Sequence, residues 1–116
     1  MTVTHVDLMQ AFATIEEYWS AEQVGTVNNA AIKLVKFKGE FIWHRHALDD
    51  EIFLVVAGQL RVKLAGQTYH LGPGEFIIIP AGVHHLPVAE EEAHILLIER
   101  ADRPDRSIPF DERVDL

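Results

Sequence analysis

The hydrophobic pattern changes period once along the chain. Residues 7–19, DLMQAFATIEEYW, place Leu8, Phe12, Ile15 and Trp19 at helical spacing, with Asp7 positioned to cap the start. The spacing predicts one amphipathic helix that covers the body of the domain. From residue 30 the runs become short and apolar or alternating: AAIKLVKFKG, EFIWHRH, EIFLVVAG, QLRVKLAG, QTYHLGPG, EFIIIPAG and HILLIER. Gly39, Gly58, Gly66, Gly72, Gly74 and Gly82 punctuate them. Short strands broken by glycine turns, with no helical pattern between them, predict an all-β antiparallel sandwich or barrel, not a parallel α/β sheet. The chain divides into a lead-in with the helix over 1–29, one barrel over 30–100 and a tail over 101–116. In the polar, proline-containing tail, Phe110, Val114 and Leu116 are apolar enough to dock on a neighbour.

Side-chain parity assigns faces within the strands. Leu60, Val62 and Leu64 share a face opposite Arg61 and Lys63. Glu51, Phe53 and Val55 share another, and Ile42, His44 and His46 a third. Phe41 and Trp43 then lie opposite His44, where packing between sheets or subunits is the expected role. Phe53, Val55, Leu60, Val62, Ile77 and Ile79 are expected in the core, some of them lining any pocket.

Composition narrows the chemistry. The 116 residues suffice for one core, and 48% hydrophobic with 24% charged residues is ordinary for a globular chain. With no cysteine, any metal must be held by histidine and carboxylate. A net charge of −8 disfavours nucleic acid and anionic membrane surfaces as partners. The N-terminus does not read as a secretory signal and no apolar run reaches spanning length, so the expected location is the cytoplasm.

His44 and His46 sit on one face about 7 Å apart, by a rise of about 3.3 Å per residue. A turn over 47–50 and an antiparallel return would bring Glu51 beside them. Two imidazoles and a carboxylate on one face suit a divalent transition metal such as Fe, Mn, Ni, Zn or Co. GEFIIIPAGVHH offers a fourth ligand downstream at His84 or His85.

Gly39, His44, His46, Glu51 and Gly58 resemble the first motif of the cupins. Gly74, Pro80, Gly82 and His85 resemble the second. Four residues separate Gly39 from His44 where the usual motif has five, and Ala89 stands where the second often has Asn. The resemblance covers about residues 30–100. It implies a small antiparallel jelly-roll barrel, the double-stranded β-helix, with His44, His46, Glu51 and His85 holding an internal metal. It also implies a homodimer. Three neutral imidazoles and one carboxylate would leave a divalent ion at net charge about +1, and an octahedral ion with two open positions.

Around that centre, His84 is expected to face solvent. Asp49 and Asp50 read as a solvated turn, from which one could orient a ligand imidazole. Glu90, Glu91 and Glu92 read as a solvated loop. His5, His70 and His94 lack a spacing partner. Arg45, Glu40 and His84 are the candidates for a general base. The cupin resemblance implies a metalloenzyme of dioxygenase, isomerase or lyase type acting on a small molecule. A non-catalytic ligand-binding or sensing barrel is the alternative. Sugar-phosphate isomerisation of the phosphomannose isomerase kind would need cations aimed into the site. Parity turns Arg45, Arg61 and Lys63 away, leaving Arg103 and Arg106 of the tail.

Overall fold

A computed structural model of the chain describes residues 2–102 and 108–109. Helix α1 (Leu8–Ala13) is followed by strands β1 (Glu22–Val27), β2 (Ala30–Glu40), β3 (His44–Arg45), β4 (Glu51–Ala57), β5 (Leu60–Leu64), β6 (Gln67–Leu71), β7 (Phe76–Ile79), β8 (Leu86–Arg100) and β9 (Ile108–Pro109).

The helix is half the predicted length. Asp7 Oδ1 accepts from the Gln10 amide at its start, as expected. At its end, Thr14 and Ile15 donate to carbonyls three residues back, and the Thr14 hydroxyl turns onto the Ala11 carbonyl. Those tighter bonds close the helix. Ile15 and Trp19 keep the apolar spacing because both pack on strands. Ile15 joins Phe12 and Leu34, while Trp19 donates its amide to the Lys36 carbonyl from a left-handed backbone, φ 63°. The lead-in also holds β1, which pairs with β2 through a bulge between Gln23 and Gly25.

All strand pairings are antiparallel. The spine is β8, the longest strand. One of its edges pairs with β2; the other pairs with β5 near Leu86–Val88 and with β4 over Ile95–Ile98. The main sheet runs β1-β2-β8-β4-β7, with β5 and β6 branching from β8. Its hydrogen bonding ends at β1, β6 and β7 among the described residues, so it wraps a core without closing into the expected single barrel. A second small sheet pairs β3 with β9. The remaining tail positions, including Arg103, Arg106, Phe110, Val114 and Leu116, lie outside the described residues.

Glu90–Glu92 belong to strand β8 and not to a loop. Between the pairs Phe37–Ala93 and Gly39–Ala89, β2 advances two residues while β8 advances four. The acidic run is thus extruded as an exposed bulge, solvated as expected but inside a continuous strand.

The concave face holds Val35, Phe37, Phe53, Val55, Leu60, Val62, Leu71, Ile79, Ile95 and Leu97 as one apolar cluster. On the convex face, Phe12 and Ile15 cover Leu34. No helix among the described residues is long and apolar enough to cross a membrane.

Candidate metal centre

Two short segments carry the inward histidines, and backbone bonds clamp them together. The His44 amide donates to the His85 carbonyl at 3.1 Å, and the His85 amide to the His44 carbonyl at 2.8 Å. Below this pair the Gly82 amide donates to the His46 carbonyl at 2.8 Å. Gly82 adopts φ +85°, the conformation that lets the chain turn sharply after Pro80. Glu51 enters at the start of β4, opposite Ile79.

These placements bring His44, His46, Glu51 and His85 together. All four are buried, and one nitrogen or oxygen from each lies within 4.8 Å of the others. Glu51 Oε1 is 3.1 Å from His46 Nε2 and 3.6 Å from His85 Nε2. Adjacent ligands at bond lengths of about 2.1 Å sit roughly 3 Å apart, so the donors are near the separations a metal requires.

The rings are oriented for that role. His44 Nδ1 lies 2.8 Å from the Ile42 carbonyl and His85 Nδ1 2.9 Å from the Val83 carbonyl. A carbonyl accepts only, so each Nδ1 carries the hydrogen when neutral and Nε2 keeps its lone pair. His85 Nε2 is buried without a hydrogen bond. Burial lowers the His44 pKa to about 4; the Ile42 carbonyl opposes this, and neighbouring His85 and His46 reinforce it. Burial pushes Glu51 upward, but the neighbouring His46 and His85 imidazoles outweigh it and hold the carboxyl well below its ordinary range. A neutral His44 and an ionised Glu51 fit a cation, so the residues present suit a divalent metal.

The centre opens on a cavity of about 180 Å³. Its wall includes Trp19, Lys33, Phe37, Phe41, Phe53, Leu97 and Glu99. Phe41 makes an edge contact with His44 at 5.2 Å, not the opposite-face placement that parity gave. The reason is local: the regular strand stops at Glu40, and two-residue alternation does not carry across 41–43. Trp19 stacks between Phe37 and Phe41, and its indole donates to the Lys38 carbonyl.

The other expected pocket residues separate. Phe53 lines the cavity and meets the His85 ring edge-on. Val55, Leu60 and Val62 are buried in the core and do not line it. His84 is half-buried, outside the ligand group and off the cavity wall. Glu40 and Arg45 do not line the cavity either. Asp50 is exposed and accepts from the Ala81 amide at 2.9 Å, so it pins the turn that carries His85 and does not orient a ring. Asp49 is not solvated: it is buried and accepts from the Arg100 amide at 3.3 Å. His94 stacks on Phe12 and bonds Glu92, whereas His5 and His70 are exposed.

Lys33 and Glu99 were the residues that sequence reasoning passed over. They form an ion pair at 2.7 Å, with Glu99 buried and Lys33 partly so. Glu99 also neighbours Glu51. The signal was present: Lys33 alternates with Val35 and Phe37, and Glu99 with Ile95 and Leu97, all four apolar partners facing inward.

An antiparallel, wrapped sheet with three histidines and a glutamate converging beneath its mouth defines a small β protein with a candidate metal centre. Residues 33–99 match the cupin domain family, Cupin_2, and the chain belongs to that family. A cupin-2 domain protein from Shewanella frigidimarina is similar in structure, with TM-score 0.80 and 39% identity over 82% of this chain and 93% of that one. The Bacillus subtilis protein YdbB is 28% identical over 96 residues, 73% of this chain and 85% of that protein. An acireductone dioxygenase from Rhodopseudomonas palustris is 49% identical over 47 residues, which span 37% of this chain and only 28% of the enzyme.

Proposed function

We propose that this cupin is a metal-dependent enzyme acting on a small, oxygen-bearing chelating substrate, with the ion held by His44, His46, Glu51 and His85. The observation that carries the reading is the convergence of those four buried donors, of which His44, His46 and Glu51 line an open cavity. When bound, the metal would supply Lewis acidity, or O₂ activation if it is iron.

The chain's own residues prepare the site. The Ile42 and Val83 carbonyls fix the tautomers of His44 and His85. Glu51 supplies the one formal negative charge of the ligand set. Phe37, Phe41, Phe53 and Leu97 exclude water, which strengthens polar contacts inside. The segment shared with an acireductone dioxygenase favours dioxygenase-type chemistry over isomerase or lyase types.

The sugar-phosphate reading is weaker. Arg61 is engaged by Glu90 at 2.9 Å, Arg45 and Lys63 do not line the cavity, and Lys33, the one cation on its wall among the described residues, is already paired with Glu99, which leaves a doubly charged phosphate without a bidentate cationic partner. A non-catalytic sensor would use the same pocket, and turnover of a chelating substrate separates the two.

The first test is elemental analysis of the purified, unchelated protein beside the His44→Ala/His85→Ala variant. Near one equivalent of a transition metal in the wild type, lost in a variant with unchanged circular dichroism, is the expected result. No metal after reconstitution with iron, manganese, nickel or zinc would overturn the reading.

A further inference from the structure

One cavity-lining residue has no place in a metal site or an apolar core. In the concave rows of the sheet, Lys33 on β2 opposes Leu97 on β8, which opposes Phe53 on β4. Lys33 therefore occupies an inward position whose neighbours along β2, Val35 and Phe37, are core residues. An inward cation costs desolvation and is tolerated only when paired. Glu99 meets that cost at 2.7 Å, yet takes one of the three N–H donors of an ammonium. The Lys33 side chain keeps 26% of its exposure, and both it and Glu99 lie on the cavity wall.

The rest of that wall is aromatic and aliphatic. Trp19 is held there at φ 63°, a conformation that costs a bulky residue and persists only where the surroundings enforce it. Its amide and indole bonds to Lys36 and Lys38 supply that enforcement. The volume of about 180 Å³ is near that of a cavity that takes one benzene-sized ring.

We propose that the cavity selects small monocarboxylates about the size of one ring, with the apolar body against Phe37, Phe41, Phe53 and Leu97 and the carboxylate met by Lys33. The proposal deepens the enzyme reading above, since it rests on the same cavity being the substrate chamber. Lys33 is a specificity residue in it, and Glu99 holds the Lys33 ammonium in position. A charged group on an ammonium adds directional, charge-assisted bonds that a neutral isostere lacks.

Benzoate and benzamide match in shape and differ in charge, so titration calorimetry with each reads the selection directly. It is run on zinc-loaded and on chelator-stripped protein. Wild type is expected to prefer benzoate by about tenfold or more in both forms. In the chelator-stripped protein Lys33→Met should abolish the preference while benzamide affinity stays unchanged, and Lys33→Arg should retain most of it; zinc content on reloading should be that of the wild type. Lys33→Met/Glu99→Gln, which leaves no buried carboxylate unpaired at that spot, repeats the test if the single variant folds poorly. A benzoate preference that survives Lys33 removal in the chelator-stripped protein, where no metal can take the carboxylate, or equal affinity for both probes in stripped wild type, overturns the proposal. Absence of binding of zinc, iron, manganese and nickel alike, with the preference intact, would instead remove the enzyme reading and leave the anion site standing.

Discussion

His44 and Glu51 make acid the natural enemy of the metal-free protein. The folded pKa of His44 is lowered to about 4, against about 6.5 in an unfolded chain. Between those values the unfolded state binds more protons, so stability falls as pH drops. Glu51 acts in the same direction at lower pH. Its folded pKa lies below the ordinary value, so the stability it contributes is present above about pH 4.5 and lost as pH falls toward the folded pKa. The chelator-stripped protein should therefore lose Tm steadily between about pH 7 and about pH 4.5. His44→Gln, which cannot titrate, should lose less over that window. Thermal melts by circular dichroism at several pH values check this, and a wild-type Tm that rises on acidification would contradict it. The clustering of the four donors was legible because spacing and residue type coincide: His44 and His46 two apart, Glu51 after a turn, His85 after Pro80 and Gly82. Phe41 was not legible, because its placement depends on where the strand stops.

At the scale of elements, the sequence shows periods and turns well but shows poorly what one element borrows from another. The strands of 51–79 follow their glycine punctuation closely. The helix does not fill its apolar period, because β2 takes up Ile15 and Trp19 separately. Glu90–Glu92 look like a loop in sequence because polar residues interrupt the alternation, yet pairing on both sides keeps β8 continuous around them. That bulge fixes a second feature. Gly58, at φ +87°, passes so close that a Cβ there would lie 2.8 Å from the Glu92 carbonyl oxygen and 2.9 Å from the Ala93 Cα. Gly39 has the same φ but open space around it. Gly58→Ala combines backbone strain with a clash against backbone that cannot swing aside, and should cost about 3 kcal/mol. Gly39→Ala carries strain alone, about 1 kcal/mol. Urea denaturation of the two variants measures the difference; equal costs would mean that the bulge yields to Gly58 and does not constrain it.

At the scale of the whole molecule, the described residues leave part of one sheet face without cover. On the convex side two cross-strand rows are wholly apolar: Ile32, Ile98, Ile52 and Ile78 in one, Leu34, Leu96, Leu54 and Phe76 in the other. Helix α1 covers the Leu34 end, while Phe76 and Ile78 at the far end are 61% and 51% exposed. Both rows reach β7, an edge strand of the sheet. A contiguous apolar patch of this kind, rare on monomers, marks an interaction site. A second copy is the expected occupant. A two-fold axis would lay uncharged rows against uncharged rows and keep the like charges of two chains at net −8 away from the contact. Sheet-on-sheet packing of this sort needs no residue from the candidate metal centre, whose four donors come from one chain. Light scattering should give about 26 kDa at micromolar concentration, twice the 13.1 kDa chain. Ile78→Lys should shift the protein to monomer, because an ammonium buried at the contact has no partner there. Circular dichroism and metal content should stay unchanged in that variant, since Ile78 points away from the cavity. A wild-type monomer would refute the dimer. An Ile78→Lys protein that remains dimeric would move the contact to another surface and leave the apolar rows to a different partner.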